Sequence, residues 1–254
     1  MESKDRVIFI YGINPILEAF KVKDAVKEIY ISRRRQSKLT DILELSKRYG
    51  VSVKIVDDEF FKRFDYESHQ GVIAKVKPKK TLTIQEALKI PEDRNETAFY
   101  IVVDLVEDPQ NFGAILRVAD SVGAHAVVYQ ERHSVGLTPS VWKASAGAVW
   151  HINLVQINNI KYAIKYLKEK DIKIIGAEAD SKHSFWDIDF TQPLALVVGS
   201  EAKGIRVTVK ALCDRIVKIP MKGKLNSLNV SVATAVLAYE VLRQRTFNTL
   251  QPTL

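Results

Sequence analysis

Three short segments gather the side chains able to do chemistry. They are "DPQNFGAILR" at Asp108–Arg117, "GSEAKGI" at Gly199–Ile205 and "IPMKGKLNSLNVS" at Ile219–Ser231. In the first, Asn111 can bond its own loop or a ligand, or cap the following helix, and Gly113 allows close approach of backbone. Arg117 offers a planar donor fork suited to phosphate, or pairs with a nearby carboxylate. In the second, a carboxylate, Glu201, sits between two glycines, placed either to accept from a ribose or exocyclic amine or to cap a helix. In the third, Ser227 and Asn229 precede an apolar run, and Asn229 or Ser231 can serve as a helix cap.

Other chemistries lack their residues. The histidines at 69, 125, 133, 151 and 183 are scattered, and with a single cysteine no compact zinc pattern forms. There is no G-x-S-x-G elbow, no dinucleotide G-x-G-x-x-G and no Walker sequence. Amides, hydroxyls, Arg and Glu remain, a set suited to a reaction whose difficult electronics belong to a cofactor. No metal is expected.

The elements that must hold these loops read as two α/β domains. In the first, "VIFIYG", "VKEIYIS", "VSVKIVD" and "HQGVIAKVKP" read as strands, with helices over "INPILEAFKV" and "SKLTDILELSKRYG", the latter ending at Gly50. A substrate-binding domain is assigned to residues 1–77, a linker with a short amphipathic helix to 78–97, and the larger domain to 98–254. In the larger domain strands and helices alternate, "AFYIVVDLV" and "LALVVGS" being continuous apolar strands of a largely parallel sheet. "TPSVWKASAGAV" reads as one of its helices. Ligands of such sheets lie beyond the carboxyl ends of the strands, where the three segments fall. The last helix carries two apolar rows: Val230, Ala233, Leu237 and Val241, then Val232, Val236, Tyr239 and Leu242. Such a helix needs cover on two sides, by core and by further structure, a second subunit being one candidate.

The formal charge is +8 in 254 residues. Residues 1–80 hold 18 Lys and Arg against 12 Asp and Glu, while the rest hold 20 against 18. A basic small part beside a nearly neutral large one favours a polyanionic partner. Arg33, Arg34, Arg35 and Lys38, in "SRRRQSK", are the candidate phosphate contacts; a solvated turn is the alternative. Cys213 reads as a small buried hydrophobe. Without an apolar run of signal or membrane length, a cytoplasmic protein with no membrane partner is expected, frayed at "FNTLQPTL".

Taken together, "NFGAILR", "LALVVGSEAKGI" and "IPMKGKLNSLNVSVATAVLAYE" resemble the three motifs of the SpoU/TrmH family of RNA ribose 2'-O-methyltransferases. "IYGINPILEAF" and "HQGVIAKVKP" resemble the ribosomal-protein-like substrate domain of its bacterial 23S rRNA guanosine branch. The resemblance implies an α/β domain with a deep trefoil knot over roughly residues 195–245, a homodimer formed through it, and S-adenosyl-L-methionine as cofactor. It implies catalytic roles for Arg117, Asn111, Glu201, Ser227 and Asn229. The cofactor bed it implies is Val198, Gly199, Ile219, Leu228 and Ser227, together with Ala202 or Gly204. The substrate implied is the ribose 2'-hydroxyl of a guanosine in large-subunit rRNA. Asn226 stands where the branch often has a first serine, and Phe112 where it often has leucine. Rival readings are a tRNA enzyme, an adenosine-specific rRNA enzyme and a non-catalytic RNA-binding module.

Overall fold

The computed structural model describes residues 7–64, 68–131 and 134–250, the side chains of the last four of these left aside. Residues 1–6, His133 and the end of "FNTLQPTL" lie outside the described residues. The chain divides into two compact units.

The first unit comprises Met1–Lys80 and Leu137–His151. Its elements are β1 (Ile8–Tyr11), α1 (Ile13–Phe20), β2 (Val26–Ser32), α2 (Thr40–Tyr49), β3 (Ser52–Val56), α3 (Asp58–Phe61) and β4 (Val72–Val76). The sheet order is β1-β4-β2-β3, with only the β2–β3 pair parallel. Alternate strand residues Ile10, Ile29, Ile31 and Ile73 are fully buried, as are Ile16 and Ala19 of α1, and Ile42 of α2 is nearly so. Gly50 ends α2 in the left-handed conformation, as its position in the sequence predicts. Arg33–Lys38 form a single exposed 3-10 helix.

Residues Leu137–His151, which the sequence places in the larger domain, fold with this unit. The physical reason is a pair of indoles. Trp142 is fully buried, and its ring centroid lies 4.5 Å from that of Trp150. The Trp150 Nε1–H donates to the Pro15 carbonyl at 3.1 Å, and His151 meets Glu18 at 2.7 Å.

The second unit comprises Thr81–Gly136 and Ile152–Leu254. Its elements run α4 (Ile84–Arg94), β5 (Phe99–Asp104), α5 (Pro109–Ser121) and β6 (Ala126–Gln130). After the first unit's helix α6 (Pro139–Ala144) come β7 (Leu154–Ile157), α7 (Ile160–Lys168), β8 (Lys173–Ala177) and β9 (His183–Ser184). The chain ends with β10 (Leu194–Gly199), α8 (Val207–Lys210), β11 (Arg215–Lys218) and α9 (Val230–Leu250). The strands form one parallel sheet in the order β7-β6-β5-β10-β8-β11-β9. Tyr100, Val102, Ala126, Val128, Ala195 and Val197 share one face with the apolar sides of α4 and α7. The alternating residues must face the other way, towards α5 and α9, which pack on each other and on β6 and β10. Helix α4 thus belongs to the core of this unit, although its residues fall within the span 78–97 read as linker. Thr83 starts it with a capping box to Glu86. On α9, Val230, Leu237 and Val241 are buried, whereas Val232, Val236, Tyr239 and Leu242 are exposed. No helix among the described residues is long and apolar enough to cross a membrane.

His125, buried at the entry to β6, accepts from the Phe99 N–H at 3.0 Å through Nδ1, so its proton sits on Nε2, 2.9 Å from Glu96. Burial holds this imidazole below the ordinary histidine value, against the opposing pull of Glu96. In the unfolded chain it takes up a proton near pH ~6.5. The unfolded state therefore binds more protons just below that value, and stability falls as pH falls through the lowered folded value. The midpoint of thermal unfolding should drop as pH falls below about 6.5, and less steeply for His125→Gln. Equal slopes for the two proteins would remove His125 as the source.

Candidate active site

The site is built where β10, the central strand, leaves the sheet. Beyond Gly199 the chain closes a tight loop, in which Ser200 N–H donates to the Gly204 carbonyl at 3.1 Å and Gly204 N–H returns to the Ser200 carbonyl at 2.8 Å. Any side chain at residue 199 would place its Cβ 2.1 Å from the Gly204 carbonyl carbon, so only glycine fits. The amides after the loop need acceptors away from water. Ile205 N–H donates to Glu178 Oε1 at 2.5 Å, and Arg206 N–H to Asp104 Oδ2 at 2.9 Å. Asp104 is wholly buried, and its charge is answered by the Arg206 guanidinium, with Nε at 2.8 Å and Nη2 at 2.6 Å from Oδ1. Gln130 takes the remaining Nη2 proton at 2.8 Å. A buried carboxylate persists only with such complete pairing.

The loop presents Glu201 to the start of α9. Asn229 Nδ2 donates to Glu201 Oε1 and, at 2.9 Å, to Asn111 Oδ1. Its own Oδ1 accepts from Ser231 N–H at 3.0 Å, Ser231 Oγ at 2.6 Å and Val232 N–H at 3.3 Å. One side chain therefore caps α9 and joins all three motif segments. The cap of α5 is Asp108, whose Oδ1 accepts from Asn111 N–H at 2.7 Å, with Pro109 in the first helical position. That leaves the Asn111 side chain free of the capping role considered for it.

Two clefts meet along this loop. The first is lined by Val198, Gly199, Gly204, Ile219, Ser227 and Leu228, with Glu178 and the apolar side of α9. The second is lined by Leu105–Asp108, Asn111 and Ala202. Ser200, Glu201, Lys203 and Val230 belong to both walls. The five residues expected in a cofactor bed thus line one cleft, with Gly204 there and Ala202 in its neighbour. A glycine-rich backbone wall facing apolar side chains suits the adenosine and sulfonium of S-adenosylmethionine, since backbone can bond a purine and a ribose while apolar groups leave the methyl unsolvated.

Arg117 stands apart from this group. It lies six residues beyond Asn111 on α5, about 120° round the helix, and lines neither cleft. It is exposed, and its guanidinium makes no hydrogen bond or ion pair among the described residues. In the first unit, Arg33 pairs with Asp57 and Arg34 with Asp58, each at 3.1 Å, while the stem of Arg35 covers Gly71. These exposed pairs are worth at most about 1 kcal/mol, little against a phosphate backbone.

The sequence alone does not mark Glu178, Asp104 or Arg206 as site residues. A carboxylate closing the otherwise apolar run "FYIVVD" was the available signal for Asp104. For Glu178 none existed, because its role depends on strand order. Among the described residues no group of three or more His, Cys, Asp or Glu side chains is placed to hold a metal ion. Cys213 packs against the core, and burial pushes its thiol up to about 12.

Residues 98–239 match the SpoU rRNA Methylase family, and residues 9–82 match the RNA 2'-O ribose methyltransferase substrate-binding family. The chain belongs to the SpoU rRNA methylase family. It is accordingly an S-adenosylmethionine-dependent methyltransferase with the α/β SpoU fold and an amino-terminal substrate-binding subdomain, in keeping with that family's trefoil-knotted architecture. A candidate TrmH family tRNA/rRNA methyltransferase of Bacillus subtilis, YacO, is 37% identical over 238 residues, 93% of this chain and 96% of that protein. The 23S rRNA (guanosine-2'-O-)-methyltransferase RlmB of Shewanella oneidensis is 31% identical over 247 residues, 96% and 99% of the two chains. The crystal structure of the SpoU methyltransferase AviRb from Streptomyces viridochromogenes with AdoMet superposes with a TM-score of 0.79. It is 24% identical and covers 94% of this chain and 91% of its own.

The double duty of Asn229 is separable by substitution. Serine caps a helix as well as asparagine does, whereas alanine loses about 1 kcal/mol. Asn229→Ser should unfold at nearly the wild-type temperature yet transfer methyl at least ~10-fold more slowly, the equivalent of about 1.4 kcal/mol. Asn229→Ala should lose both. Wild-type turnover in the serine variant would reduce Asn229 to a helix cap.

Proposed function

We propose that the protein transfers the methyl group of S-adenosylmethionine to the ribose 2'-hydroxyl of a guanosine in 23S rRNA. The observation that carries this reading is the pair of adjoining clefts with Glu201 on their common wall, bridged by Asn229 to Asn111. A methyl donor in one cleft and a nucleotide in the other would share a boundary made of hydrogen-bonding side chains. The guanosine of 23S rRNA comes from the relatives named for it, at 31–35% identity. The substrate-binding family match at residues 9–82 supports a folded RNA gripped by the basic first unit, with Arg33, Arg34, Arg35 and Lys38 as phosphate contacts.

The bound cofactor supplies an electrophilic methyl, and the protein's task is alignment and charge. The backbone at Val198, Gly199 and Ile219, with Ser227 and Leu228, holds the donor. Glu201 and Asn229 orient the ribose. Arg117, exposed outside both clefts, takes the phosphate beside the target through its planar donor fork, while a phosphate oxygen or water removes the proton. Asn111 fixes Asn229.

A second copy of the chain covers the exposed row Val232, Val236, Tyr239 and Leu242, forming a homodimer through the methyltransferase domain. The knotted crossing runs through roughly residues 195–245, and the protein works in the cytoplasm, where rRNA is made.

Methyl-labelled S-adenosylmethionine incubated with unmodified 23S rRNA, and separately with total tRNA, tests the assignment. Label should appear as 2'-O-methylguanosine at one rRNA position; label confined to tRNA would overturn the substrate and keep the chemistry. Arg117→Lys loses one charge-assisted bond of about 1.5–3 kcal/mol. Its turnover should therefore fall roughly 10–100-fold, and near-normal turnover would eliminate the forked contact.

A further inference from the structure

Glu178 stands just beyond β8, and only 12% of its side chain is exposed. It does two things at once: it lines the first cleft, and it accepts the Ile205 amide at 2.5 Å. Asp104, at the end of β5, accepts the next amide, that of Arg206. Strands β8 and β5 are the two neighbours of β10 in the sheet. The loop that leaves β10 is therefore held at its exit by carboxylates reaching in from both sides. The two grips differ in kind. Asp104 is buried and spent on Arg206, a wholly internal arrangement. Glu178 faces the cleft, supported from behind by Lys210 at 3.1 Å.

We propose that Glu178 is a positioning residue for the cofactor: its carboxylate pins the Ile205 amide and so keeps the Ser200–Gly204 loop in the shape that receives S-adenosylmethionine. The inference rests on the reading that the first cleft holds the cofactor. Gly204 lies in the left-handed region, φ 63°, directly against the Glu178 carboxylate, where a Cβ would come within 2.6 Å of Oε1. Loop and carboxylate therefore fit each other closely. Without the grip the loop keeps its Ser200–Gly204 pairing but loses its tether to β8. Binding must then reorder it, and the cost falls on affinity. Once cofactor is bound the loop is restored, so saturated turnover changes little. Gln at this position still offers a carbonyl oxygen to the amide; Ala offers nothing.

Two measurements on the full chain test this. Calorimetry and kinetics with S-adenosylmethionine should show Kd and KM raised at least ~10-fold in Glu178→Ala, with kcat within about threefold of wild type, and Glu178→Gln within about threefold throughout. Hydrogen exchange on the protein without cofactor should show the Ile205 amide exchanging at least ~10-fold faster in Glu178→Ala than in wild type or Glu178→Gln. Unchanged affinity in the alanine variant would overturn the proposal. So would equal damage in both variants, since the carboxylate charge, not the grip on the amide, would then be the binding element. Faster Ile205 exchange in a protein whose wild type does not bind S-adenosylmethionine would uphold the grip and refute the cofactor reading of the cleft.

Discussion

Two consecutive backbone amides, those of Ile205 and Arg206, are each caught by a carboxylate from a different neighbouring strand. A chain leaving the middle of a parallel sheet has no further ladder partner, and its buried amides must be satisfied or the loop will move. Here Glu178 and Asp104 supply the acceptors, and the Ser200–Gly204 loop is fixed as a consequence. Its position decides where Glu201 stands, and Glu201 decides where the wall between the two clefts lies. Gly199 and Gly204 are glycines because the loop folds back onto its own strand and onto Glu178 at distances no Cβ tolerates.

A second economy appears at Asn229. Its carbonyl oxygen satisfies the first amides of α9, while its amide nitrogen bonds Glu201 and Asn111. Helix capping and site assembly are often weighed as alternatives, but a side chain with a donor end and an acceptor end serves both. The α9 start is therefore tied to the loop after β10 and to the first turn of α5. Those ties bring segments more than a hundred residues apart in sequence into one hydrogen-bonded group.

The three polar segments were legible because glycine, asparagine, serine and an acid clustered beside apolar strands is an unusual composition for mere connections. The alternation of strand and helix, the buried strands and Gly50 were legible for the same local reasons. What acts across the sheet was not. Nothing in "IIGAEAD" shows that β10 will insert between β5 and β8, so the grip of Glu178 on Ile205 is invisible before the strand order is known. The tryptophans that join Leu137–His151 to the first unit fall in the same class, since their burial partners lie over a hundred residues away. Asp108 is different: Asp followed by Pro ahead of a helix is a readable cap signal, and it outranks Asn111 for that role. The distance of Arg117 from the polar group follows from helical spacing alone.

The cleft between the loop after β10 and the segment before α9 is where the methyl donor is proposed to bind. A crystal structure of the protein soaked or co-crystallised with S-adenosylhomocysteine tests it most directly. Ligand density is expected against the backbone of Val198, Gly199 and Ile219, beside Ser227 and Leu228, with the sulfur directed towards Glu201. Density in the neighbouring cleft beside Asn111, or elsewhere on the molecule, would contradict it.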